Sequence, residues 1–99
     1  MVQVTLSRFP RATANTYVCH PWCGWADQSI DFWGPAGRGD PIPADLGDRL
    51  HQFLLNFRGP PVIRHTIFQH QLWTSWGGYS VWRADDHAGR ERHVHVTYY

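Results

Sequence analysis

The sequence predicts an α+β domain: a small, mostly antiparallel sheet with one main amphipathic helix packed on one face. Three observations predict it. Between Pro43 and Phe57 the apolar residues Leu46, Leu50, Phe53, Leu54 and Phe57 recur at helical spacing. Short segments rich in β-branched and aromatic residues follow, at 62–68, 71–74, 79–83 and 93–98. The last of these alternates, with His93, His95 and Thr97 on one face and Val94, Val96 and Tyr98 on the other. The apolar face belongs against the helix, so the histidine face is expected to look outward into a cleft.

Taken in order, residues 1–18 read as an N-terminal strand and a lead-in. Val2 to Leu6 alternates as a strand would, and Thr16-Tyr17-Val18 is extended. A Cys/His/Trp cluster occupies 19–25. Ser29 to Trp33 is β-prone and stops at Gly34-Pro35, and the Gly, Pro and Asp content of 34–43 marks a loop. Pro43 at the first turn, Asp45 and Asp48 near the start, and Gly59-Pro60-Pro61 after the end bound the helix. His51 falls on its polar side and is expected to be solvated. Gly77-Gly78 marks the turn between two of the later strands.

At 99 residues the chain is expected to form one domain with one core. Hydrophobic residues make up 42 %, so the composition is that of a folding chain. The net charge is +1 with no basic cluster, which argues against nucleic acid as a partner. No stretch approaches membrane-spanning length, and Met1 to Leu6 lacks the charged start and apolar run of a signal peptide. The expectation is therefore a protein made in the cytoplasm without a membrane partner; action at a cell wall would need another export route. Cys19 and Cys23 have three residues between them, and a disulfide there would close a small strained loop. Free thiols or metal ligation are expected instead.

Glu91 is the only glutamate, so a general base must be Glu91, an Asp or a His. No HExxH motif is present, which removes the thermolysin-like helix. His93 and His95, two apart on one strand face, stand roughly 7 Å from one another. That separation suggests a division of labour, one ring holding a metal and the other serving the metal-bound water or the substrate. A catalytic zinc takes three protein ligands and keeps an open position. The remaining candidates are Cys19, His20, Cys23, Asp27, Asp31, Asp85, Asp86 and His87. Asp31, between Ile30 and Phe32, is a carboxylate in a strand-like run, where it needs a partner or a metal. His65 and His70 flank a strand and its turn and are expected to be structural or superficial. Trp22, Trp25, Trp33 and Trp76 are candidates for groove walls or for the core.

Several stretches together carry a resemblance. Val62 to Phe68, Trp73, Gly78 to Trp82, Asp86-His87 and His93-Val94-His95-Val96-Thr97 are similar to the C-terminal half of phage and actinobacterial peptidase-like domains. These belong with the zinc D-Ala-D-Ala peptidases of the lysostaphin / D-Ala-D-Ala peptidase / sonic hedgehog superfamily. Ser29 to Phe32 resembles that family's strand bearing the zinc-binding Asp, and the resemblance covers 19–99. It implies zinc held by His20, Asp31 and His95, with His93 as the proton-transfer or oxyanion-stabilising partner and His87 as a further catalytic group at the cleft. The family's usual spacing, six residues between His and Asp, is met by His20 and Asp27, so Asp27 is the rival carboxylate. Asp31 is preferred because its flanks match a buried strand. The implied activity is zinc-dependent hydrolysis of amide bonds in peptidoglycan peptides.

Two other readings compete. One is a non-catalytic zinc-stabilised binding or structural module, in which Cys19, Cys23 and C-terminal histidines close a four-ligand site. The other is a phosphoesterase using two H-x-T motifs. His95-Val96-Thr97 fits one of these, whereas His65-Thr66 has the wrong order and spacing for the second.

Overall fold

A computed structural model describes residues 1–19, 27–58 and 62–99. Within them the chain forms α1 (Val2–Arg8), β1 (Thr13–Cys19), β2 (Asp27–Trp33), α2 (Ala44–Leu55), β3 (Ile63–Phe68), β4 (Gln71–Thr74), β5 (Gly78–Val81), a 3-10 turn (Gly89–Glu91) and β6 (Val94–Tyr98). The six strands make one sheet in the order β1-β2-β6-β3-β4-β5, and every neighbouring pair is antiparallel. With the helix α2 packed on one side, this is the α+β architecture expected from the sequence. The last strand lies between β2 and β3, which α2 connects, so the sheet contains a split β-α-β unit.

One face of the sheet carries the core. Ile30 and Phe32 from β2, Val94 and Val96 from β6, and Ile63 and Phe68 from β3 bury against Leu46, Leu50 and Leu54 of α2 and Ile42 before it. Alternation dictates this, since Phe32 pairs with Val94, Ile30 with Val96, and all four point to the helix side. Gly47 leaves no space for a side chain between helix and sheet: a Cβ built there would stand 2.5 Å from Phe68 Cζ and 3.2 Å from Ile42 Cγ2.

Three expectations are corrected. The N-terminal segment is helical, with Thr5 N–H donating to Met1 O and Phe9 N–H to Thr5 O. Val2, Thr5, Leu6 and Phe9 follow i, i+3, i+4, i+7 as well as they follow alternation. The helical period wins because it brings Thr5 and Phe9 into the core side together, with Phe9 edge-on to Phe53 at 5.7 Å. His51 is buried, 2 % exposed, and its Nε2 lies 2.7 Å from Thr66 Oγ1 on the helix-covered face. Position 51 continues the i, i+4 row of Gly47 within the buried stripe of α2, so tertiary contact overrides its polar character. The histidine face of β6 is not open, because His95 is 5 % exposed and Thr97 fully buried.

Among the described residues no helix is long and apolar enough to cross a membrane.

Candidate metal and proton-transfer site

The face of the sheet away from α2 gathers the polar residues. Asp31 of β2 lies opposite His95 of β6, and Ser29 lies opposite Thr97. On the other flank, β3 places His65 opposite Thr97 and Ile67 opposite His95. Directly opposed residues point to the same face, so Ser29, Asp31, His65, His95 and Thr97 share one floor. His93 precedes β6 and stacks on Trp33 at 4.1 Å between ring centroids.

The segment between β5 and β6 folds over this floor and delivers His87. It is tied down at Gln69, whose N–H donates to His87 O at 3.0 Å, and at His70, whose carbonyl accepts from Trp82 N–H at 2.8 Å. Gln69 reaches that position in the left-handed region, φ 58°, at the tight turn between β3 and β4. The ring of His87 stands 4.4 Å from that of His93 and 5.7 Å from that of His95. His65, half-buried, stacks on His95 at 5.3 Å. Four imidazoles and one carboxylate are therefore linked by pairwise contacts on this face of the sheet.

The polar contacts order this cluster. His95 Nδ1 is 3.0 Å from Asp31 Oδ1, and His95 Nε2 is 3.0 Å from Thr97 Oγ1. Thr97 Oγ1 in turn lies 2.9 Å from Ser29 Oγ. His93 Nδ1 donates to the Glu91 carbonyl at 2.5 Å, since a carbonyl only accepts. Its other nitrogen, Nε2, stands 3.6 Å from the same Asp31 Oδ1. In a neutral His93 that nitrogen turns an unshared pair toward a carboxylate oxygen, an arrangement that a proton or a cation between them relieves. The two rings approach one carboxylate oxygen despite their separation along the strand. Cross-strand Asp31 lies between them, and both side chains lean toward it.

His87 is held uncharged, its pKa lowered to about 4. Burial is the largest cause, the charge of a protonated His93 adds to it, and the Asp86 carboxylate only partly offsets them. Asp86 titrates below its usual range: burial opposes this, but hydrogen bonds from Trp82 and His87 outweigh it.

On donor chemistry, Asp31 and His95 suit zinc. Bonds of about 2.1 Å at tetrahedral angles put neighbouring donor atoms roughly 3.4 Å apart, and His95 Nδ1 and Asp31 Oδ1, at 3.0 Å, stand a few tenths of an ångström closer than that. Among the described residues, no three His, Cys, Asp or Glu side chains already converge as a ligand set. His20, Cys23, Trp22 and Trp25 lie outside the described residues, as does the side chain of Cys19. Asp27 opens β2 four residues before Asp31, roughly 13 Å along the strand, and its side chain is likewise outside the description. His70 is exposed and bonds Trp82 O, with Asp85 3.5 Å away. Trp76 is 65 % exposed on the turn after β4, and Trp33 is buried against the site.

Sequence reasoning singled out Asp31, His87, His93 and His95, which the fold brings together. It missed the stacking of His65 and Trp33, the hydroxyl pair Ser29–Thr97, and Trp82. The parity of Ser29, Asp31 and Trp33 along one strand was the available signal for two of them; the others depend on cross-strand register. Compared with models of protein families, with curated proteins and with solved structures, the chain gives no match.

Proposed function

We propose that the chain is a zinc-dependent hydrolase acting on amide bonds of peptidoglycan peptides. The observation that carries the chemistry is the convergence of His93 and His95 on one oxygen of Asp31, on a buried polar sheet face. The substrate class rests on the resemblance of His93-Val94-His95-Val96-Thr97 and Ser29 to Phe32 to the zinc D-Ala-D-Ala peptidases. Asp31 and His95 would hold the metal, with His20 as the third donor that the resemblance implies. When bound, zinc supplies Lewis-acid activation of water and polarisation of the scissile carbonyl.

The chain's own residues do the rest. Thr97, its hydroxyl held in turn by Ser29, bonds the far nitrogen of His95 and orients its ring, as outer partners of metal-bound histidines do. His93 is oriented by the Glu91 carbonyl and by Trp33, so its Nε2 can take up a proton beside Asp31 and pass it to a leaving amine. The packed rings of Trp33, His65 and His87 keep bulk water off these groups. The phosphoesterase alternative is the weaker reading because the sequence holds one H-x-T motif, His95-Val96-Thr97, where that chemistry uses two.

The test is zinc content and release of peptidoglycan peptides for wild type, His95→Ala and Asp31→Ala. Both variants are expected to lose zinc and all hydrolysis. Unchanged zinc in His95→Ala would defeat the reading. Asp27→Ala is expected to retain its metal, and loss there but not in Asp31→Ala would transfer the role to Asp27. Zinc lost on thiol modification would favour the closed, cysteine-containing structural site.

A further inference from the structure

The segment that delivers His87 also carries the groups that define which ring nitrogen bears its proton. Asp86 Oδ1 lies 2.7 Å from His87 Nδ1 and 2.7 Å from Trp82 Nε1. The indole N–H can only donate and an ionised carboxylate can only accept, so His87 Nδ1 must carry a hydrogen directed at Asp86. A neutral ring has one N–H, and its Nε2 is then an unshared pair. The indole ring stands edge-on to the imidazole, 6.0 Å between centroids at 87°, which fixes the imidazole plane as well as its protonation pattern. The backbone bonds from Gln69 to His87 O and from Trp82 to His70 O anchor both ends of this unit to the β3–β4 turn. The His87 side chain is 11 % exposed, whereas Asp86 is 58 % exposed, so the unit runs from solvent to the imidazole cluster.

We propose that Trp82 and Asp86 are positioning residues that lock His87 as the Nδ1–H tautomer, so that its Nε2 acts at the site as an obligate acceptor for an N–H or O–H of the substrate or of attacking water. The logic is that of a carboxylate behind a general base, which selects tautomer and orientation without itself reacting. The catalytic consequence rests on the peptidase reading; the tautomer does not. His93 is set the same way by a different acceptor, the Glu91 carbonyl. Two neighbouring imidazoles thus both turn Nε2 outward from their anchors, which suits a site that must receive protons.

The experiment is nitrogen-15 spectroscopy of the histidine rings in the metal-free chain, recorded well above the imidazole titration range, for wild type, Asp86→Ala, Asp86→Asn and Trp82→Phe. Wild-type His87 is expected as Nδ1–H in roughly nine-tenths of molecules or more, falling to about half or less in Asp86→Ala. Asp86→Asn keeps a carbonyl oxygen and is expected to retain the tautomer, and Trp82→Phe to fall between. Because Asp86 is largely exposed, Asp86→Ala is expected to fold, and its circular dichroism checks this. In the zinc-loaded chain, Asp86→Ala is expected to lower kcat roughly 10–100-fold with KM and zinc content unchanged, and Asp86→Asn to recover most of that loss. A wild-type His87 found as Nε2–H, or a tautomer indifferent to Asp86→Ala, overturns the proposal. A wild type that neither binds zinc nor hydrolyses the peptides sinks the peptidase reading instead, and the tautomer then decides the proposal alone.

Discussion

The imidazole of His51 lies 2.7 Å from the Thr66 hydroxyl beneath α2, and burial lowers its pKa to about 4, with Asp48 opposing the shift. The folded chain therefore resists protonating this ring, whereas the unfolded chain takes up the proton near the ordinary imidazole value of 6.5. The sign follows: stability from this group is complete above pH 6.5 and is lost progressively as the pH falls toward 4. At full protonation the loss is about 3 kcal/mol, and His87, shifted the same way, adds to the same acid limb. Urea unfolding at neutral and acid pH for wild type and for His51→Leu with Thr66→Val should show the drop shrinking by about that amount. An equally steep acid limb in the double variant would contradict this account. At the same scale, Thr97→Val removes the hydroxyl that bonds both the far nitrogen of His95 and the Ser29 hydroxyl. It is expected to cost about 1–3 kcal/mol in thermal or chemical unfolding, and Thr97→Ser under 1 kcal/mol.

Between elements, the α2–sheet contact sets the tightest geometric demand. Gly47 is inside a helix, where Ala is ordinarily favoured by about 1 kcal/mol. Here the added methyl meets the ring of Phe68 at 2.5 Å, and Phe68, 3 % exposed, has no room to withdraw. Overpacking outweighs propensity, so Gly47→Ala is expected to destabilise by about 1–3 kcal/mol, read as a lower denaturant midpoint. A raised midpoint would mean that α2 can shift away from β3. The contrast with α1 is instructive. Its residues fit both a strand and a helix pattern, and only the partner surface of Phe53 and the core selects the helix. Local pattern was sufficient for α2 because its apolar stripe is long and bounded by Pro43 and the Gly59-Pro60-Pro61 run.

Across the whole molecule, the insertion of β6 between β2 and β3 builds the site from parts distant in sequence. Asp31 and His95 are 64 positions apart, and the contact forms only when the C-terminal strand docks into the centre of the sheet. A ligand that binds this assembled cluster and not the unfolded chain must stabilise the fold by mass action. With zinc at a hundredfold excess over its dissociation constant, the gain is about 2.7 kcal/mol, visible as a higher Tm that chelation reverses. His95→Ala should show no such response. A Tm indifferent to zinc in the wild type would count against metal binding as firmly as the analytical measurement.

The sequence by itself determined the α+β class, the extent of α2, and the sorting of β6 into an apolar and a histidine face, because these follow from local periodicity and its end signals. It also brought out Asp31, as a carboxylate among apolar neighbours, and the His93/His95 pair. Only the tertiary structure decided that α1 is a helix, that His51 is buried, that Asp31 stands across from His95, and that Asp86 and Trp82 grip His87. The physical reason is that these contacts join parts distant in sequence: Asp31 meets His95 only in the register of the assembled sheet, where a shift of one residue would turn either to the other face, and the helices and the β5–β6 segment take their places only against that sheet.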